Sequence, residues 1–152
     1  MARNIAQKAN LLHPLIIQNR TVQRAHELAA SLDKPGSVRV VESVQDAVQP
    51  ADAVFTSLGD DKSVQAIYED ILKTPGGVNG KLFVETSTVL PETTNAVCEM
   101  VLAAGGEFVA SPGMSAGLRF PCSGACIVPL PANGRGINFF FHFCSFWRPR
   151  YG

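Results

Sequence analysis

The stretch Lys81 to Gly117 most constrains what this chain can fold into. Leu82-Phe83-Val84-Glu85 is a short apolar run of strand formers; it breaks at Thr86-Ser87-Thr88 and restarts at Pro91 as a helix. A strand, a polar turn and a helix in that order place hydroxyls at the carboxyl edge of a sheet, where doubly wound folds bind their ligands. A second apolar piece, Phe108-Val109, runs into Ser111-Pro112-Gly113-Met114-Ser115-Ala116-Gly117, whose small residues let a ligand approach the backbone closely.

The same rhythm holds along the chain. A helix over Met1 to Ala9 shows Ile5 and Ala9 at i, i+4 spacing, with no cap residue and no strand ahead of it. After His13-Pro14, Leu15-Ile16-Ile17 reads as a buried strand, and Thr21 as the cap of a helix striped by Ala25, Leu28, Ala29 and Leu32. Val38 to Val41 is the next strand, and Ser43 caps a short helix over Val44 to Val48. Ala53-Val54-Phe55 follows, and Asp60 or Asp61 caps a helix carrying Val64, Ile67, Tyr68, Ile71 and Leu72. Pro91 to Ala104 is a helix stopped by Gly105-Gly106, and Ala125 to Leu130 adds a further strand. Alternation without long linkers predicts a mostly parallel sheet covered on both faces, an α/β doubly wound architecture.

At 152 residues the chain has the length of one domain, and 46% apolar residues supply a real core. A formal charge of zero argues against a nucleic-acid partner. No apolar run reaches the roughly 18 to 20 residues of a membrane span. Four cysteines and no signal peptide point to a reducing compartment, and we expect a cytoplasmic protein, or a mitochondrial one if a targeting segment precedes this sequence. Cys122, Cys126, His142 and Cys144 fit no tight zinc spacing, so no metal site is expected.

From Asn133 the character changes. Phe139, Phe140, Phe141, Phe143 and Phe146 place five of the nine phenylalanines in eight residues, with no period of 2 or 3.6. The division expected is 1–131 as the folded domain and 132–152 as an aromatic tail outside the fold. Such a tail is either a segment never selected to pack or an edge that docks on a partner.

Glu85-Thr86-Ser87-Thr88-Val89-Leu90-Pro91 resembles the acidic-x-Ser-Thr-x-x-Pro pattern of the beta-hydroxyacid dehydrogenase family, which includes 3-hydroxyisobutyrate dehydrogenase, glyoxylate reductases and 6-phosphogluconate dehydrogenase. Pro112 to Gly117 is similar to the family's later Pro-x-Ser-Gly-Gly turn, with one extra residue and Ala for the first Gly. The likeness spans about Met1 to Pro131. Met1-Ala2-Arg3-Asn4-Ile5 matches the family's first helix, which follows a strand and a glycine-rich loop. The resemblance therefore implies an incomplete Rossmann-like sheet lacking its first strand and that loop. An unfilled centre would leave two open sheet edges, favouring aggregation or a homo-oligomer.

For sites, the resemblance implies a cofactor set of Asn19, Arg20, Thr21, Leu58, Gly59, Ser63 and Thr88, and substrate contacts from Ser87, Ser115 and Gly117. An Arg beside a hydroxyl after a strand suits a 2′-phosphate, which favours NADP over NAD. The family's general acid is a lysine on a later helix, and no lysine follows Lys81, so no catalytic residue is assigned. The expected function is that of a fragment of an NADP-dependent oxidoreductase acting on a small beta-hydroxyacid or its aldehyde or keto form, inactive by itself. The rival is a non-catalytic NADP-binding or protein-interaction module.

Overall fold

A computed structural model describes residues 2–9, 11–111 and 139–143, the last of these as backbone. The elements run α1 (Ala2–Lys8), β1 (Leu15–Gln18), α2 (Val22–Ala30), β2 (Val38–Val40), α3 (Val44–Val48), β3 (Ala53–Ser57), α4 (Asp61–Leu72), β4 (Leu82–Glu85), α5 (Pro91–Ala103), β5 (Glu107–Ala110) and β6 (Phe139–Phe143). They form one sheet in the order β2-β1-β6-β3-β4-β5, every pair parallel.

Alternation along the strands divides the core between two faces. Leu15 and Ile17 join Ala2, Ala6, Ala25 and Leu32 under α1 and α2. Ile16, Val54 and Phe83 join Val44, Val48, Val64, Tyr68, Ile71, Val97 and Val101 under α3, α4 and α5. Burying aliphatic and aromatic side chains on both faces is what makes a three-layer sandwich stable and what makes its central strands read as unbroken apolar runs.

The helix starts follow side-chain chemistry in two cases. Ser43 accepts the N–H of Asp46 at 3.0 Å, and Asp60 accepts that of Ser63 at 2.8 Å. Thr21 stands at the N-cap of α2 but makes no side-chain cap bond; Asn19 instead accepts the Thr21 N–H at 2.8 Å, so the turn is closed one step earlier. Leu90 is the N-cap of α5, and its N–H is taken by Asp61 at 2.9 Å.

The tail differs from expectation. In the doubly wound order 3-2-1-4-5-6 the opening strand lies at the centre. Numbered from β1 of this chain, that centre is the gap between β1 and β3. Phe139–Phe143 occupies it, pairing Ile17 with Phe141 on one side and Phe55 with Phe141 on the other. The sheet centre is therefore not left with two open edges, and part of 132–152 belongs to the fold. The physical reason is that a central gap leaves two rows of unpaired N–H and C=O groups, and a proline-free run of strand formers is suited to pair them. Ala125 to Leu130, Cys122, Cys126 and Cys144 lie outside the described residues.

Among the described residues no helix is long and apolar enough to cross a membrane.

Candidate functional site

Strands β1, β3 and β4 are parallel, so Gln18-Asn19, Ser57-Leu58 and Glu85-Thr86-Ser87 all arrive at one edge. There a cleft of about 260 Å³ is lined by Gln18, Arg20, Val44, Leu58, Ser63, Ala66, Ile67 and Asp70. It draws on the end of β1, the start of α3, the end of β3 and the outer side of α4. Three residues of the expected cofactor set, Arg20, Leu58 and Ser63, meet in it.

The other expected residues take distinct places. Asn19 is buried and shapes the turn that leaves Arg20 and Thr21 exposed at its tip. Gly59 is exposed beside Leu58. Thr88 is exposed one residue beyond buried Ser87. Ser115 and Gly117 lie outside the described residues.

Ser87 and Leu58 are joined directly: the Leu58 N–H donates to Ser87 Oγ at 2.7 Å. Ser87 in turn has its own N–H held by Glu85 Oε1 at 2.6 Å. The other Glu85 oxygen accepts the Thr56 hydroxyl at 2.5 Å, and Tyr68 OH lies 2.9 Å from that hydroxyl oxygen. Because the Thr56 proton points to the carboxylate, Tyr68 is the donor of the second bond. Thr86 closes the set by donating both its N–H and its hydroxyl to the Thr56 carbonyl, at 2.8 and 2.7 Å. Both edge loops are thereby braced by buried hydrogen bonds before any ligand arrives.

Burial raises the Glu85 carboxyl above its ordinary range, against the opposing effect of the bonds from Ser87 and Thr56. Burial, then the charge of Glu85, pushes the Tyr68 hydroxyl well above its usual value. At the mouth of the cleft Asp60 accepts the Ser63 hydroxyl at 2.9 Å as well as its N–H. Those two bonds, with the nearby Arg20 charge, lower the Asp60 carboxyl. Arg20 and Asp60 thus set charges of opposite sign around the cleft.

The Thr56, Tyr68 and Glu85 network was missed at the level of sequence. Its signal was Tyr68 in the apolar stripe of α4, since a buried tyrosine hydroxyl requires a partner. Gln18 was missed too, as the last residue of a strand read only for its apolar part.

Residues 1–119 match the model of the NAD binding domain of 6-phosphogluconate dehydrogenase. The chain belongs to that family. It is an NAD(P)-binding domain, and pyridine nucleotide is the cofactor of the fold. The domain is 32% identical over 114 residues to the NADH-dependent oxidoreductase ucdB of Aspergillus ustus, covering 75% of this chain and 38% of that protein. It is 29% identical over 112 residues to the cytokine-like nuclear factor N-PAC of Danio rerio, covering 68% of this chain and 22% of the other. A reductive aminase from Aspergillus terreus, solved in complex with NADPH4, cyclohexanone and allyl amine, shares the fold with a TM-score of 0.59 at 16% identity. That likeness covers 72% of this chain and 35% of the aminase. This NAD-binding domain therefore spans well under half the length of the relatives it matches.

The dinucleotide's adenosine half fits the residues of the cleft. Arg20 supplies a cation at the tip of the first turn, and Val44, Leu58, Ala66 and Ile67 supply an apolar floor.

Proposed function

We propose that this domain holds NADP through the carboxyl-edge cleft and serves an oxidoreductase acting on a small beta-hydroxyacid or its aldehyde or keto form. The observation that carries the reading is the meeting of Arg20, Leu58 and Ser63, from three separate segments, in one cleft. Arg20 at the turn tip pairs with the 2′-phosphate, assisted by the Thr21 hydroxyl and by the Asn19 turn that presents them. Leu58 and Gly59 line the path toward the nicotinamide, and Thr88 stands at its end. Ser63 gives its proton to Asp60 and so offers only its oxygen as an acceptor to a ribose hydroxyl.

Ser87 accepts Leu58 N–H and keeps a hydroxyl proton to donate to a substrate carboxylate; Ser115 and Gly117 complete that side. When bound, the cofactor supplies hydride chemistry. The chain's own residues position and hold, and no proton-transferring residue is assigned within it. The lysine that would serve belongs, in this reading, to a further helical domain of the intact enzyme.

A second reading is favoured by one comparison. The Danio rerio relative is named a nuclear factor rather than an oxidoreductase. On that reading the domain binds nucleotide without turnover, and saturable NADPH binding would persist where no hydroxyacid is oxidised in any longer form of the protein.

The test is competition between NADPH and NADH for the wild-type chain and for Arg20→Ala. NADPH is expected to bind about tenfold or more tightly than NADH, and Arg20→Ala to remove most of the difference. Equal affinity in the wild type contradicts the NADP preference and aligns the chain with its NADH-dependent relative. Binding of neither contradicts the whole reading.

A further inference from the structure

Gln18 is 7% exposed, stands at the last position of β1 and lines the cleft. Its Nε2 donates to the Glu42 carbonyl at 3.2 Å. Its Oε1 is buried with no hydrogen-bond partner, the one side-chain oxygen or nitrogen in that condition among the described residues. The assignment of the two amide atoms is fixed by chemistry, because a carbonyl can only accept and so requires the amide nitrogen opposite it. A buried acceptor left unpaired is costly, and a site that carries one is incomplete until a donor arrives.

We propose that Gln18 selects the base of the bound nucleotide, its Oε1 accepting a hydrogen bond from the exocyclic amino group of adenine. This rests on the cleft being the nucleotide site. The surroundings fit a flat aromatic base: Val44, Leu58, Ala66 and Ile67 supply apolar walls, while Arg20 lies at the same cleft to meet a sugar phosphate. The other buried polar groups of this edge are already partnered, Glu85 by Thr56 and Ser87, and Tyr68 by Thr56. Among these buried groups of the described residues, Gln18 is the one with an unused acceptor. A base with a carbonyl oxygen in place of the amino group would set two acceptors against each other.

The experiment compares NADPH with nicotinamide hypoxanthine dinucleotide phosphate, reduced form, by fluorescence titration of the wild-type chain and of Gln18→Met. The wild type is expected to bind NADPH about tenfold or more tightly than the hypoxanthine analogue. Gln18→Met is expected to bring the two within about twofold. Equal binding by the wild type overturns the role of Gln18 and leaves the cleft as a nucleotide site. Discrimination that survives in Gln18→Met overturns it as well. Binding of neither nucleotide to the wild type overturns it together with the dinucleotide reading. The first comparison needs no variant, so a Gln18→Met chain that fails to fold does not leave the proposal open.

Discussion

Ser87 Oγ accepts the backbone N–H of Leu58 at 2.7 Å, tying the loop after β4 to the loop after β3. Both residues are buried. Ser87→Ala leaves the Leu58 N–H without that acceptor in a buried place, which costs about 1–3 kcal/mol. A urea transition should show that loss in its midpoint. A midpoint within experimental error of the wild type would mean that the loops are held by other contacts.

Glu85 makes stability depend on pH. Its folded carboxyl is raised by burial, so the folded state holds a proton that the unfolded state releases. The stability from that proton is fully present below the unfolded carboxyl value and is lost as pH rises through the folded one. Glu85→Gln keeps an acceptor for the Ser87 N–H and removes the titration. As pH rises from the ordinary carboxylate range through the raised folded value, the wild type is expected to lose stability relative to Glu85→Gln, read as diverging urea midpoints. Parallel midpoints across that range would contradict the assignment of the pH dependence to Glu85.

Gly106 is buried where the chain leaves α5 for β5. A Cβ there would stand 2.8 Å from Val101 Cγ1 and 3.2 Å from Phe83 Cε2, both in side chains of the core. Gly106→Ala should destabilise by about 1–3 kcal/mol through overpacking. Adding Val101→Ala should recover part of the loss, a non-additivity measurable in a double-mutant cycle. Strict additivity would show that the strain lies elsewhere.

Phe141 pairs with Ile17 and with Phe55 at the centre of the sheet. Phe141→Pro removes a ladder donor and places a ring between two strands, at a cost of about 3 kcal/mol or more. Thermal unfolding should show a large fall in midpoint. An unchanged midpoint would mean that the strand contributes nothing to the fold.

Much of this was readable in the residues. The short runs Leu15-Ile16-Ile17, Ala53-Val54-Phe55 and Leu82 to Glu85 announced parallel strands because burial on both faces demands unbroken apolar stretches, and Ser43 and Asp60 announced helix starts through local cap chemistry. Phe139 to Phe143 was hidden by its neighbours: nothing local tells a central strand from an unpacked aromatic segment, since the difference lies in the gap between β1 and β3. Thr21 looks like a cap, yet its hydroxyl makes no cap bond: the Arg24 N–H goes to the Thr21 carbonyl, and Asn19 takes the N–H of Thr21 itself. The unpaired oxygen of Gln18 belongs to no pattern at all. The partner of its amide nitrogen, the Glu42 carbonyl, lies 24 residues away in the chain and comes beside it only when β2 pairs with β1.

The most direct test of the account is to add NADPH to the isotopically labelled chain and follow its backbone amides by NMR. Saturable shifts at Arg20, Leu58, Ser63 and Thr88, with Asn79 and Gly105 at the opposite edge unchanged, are the predicted result. Saturable shifts confined to the Asn79 and Gly105 edge, or none anywhere, would contradict a nucleotide site at the carboxyl edge.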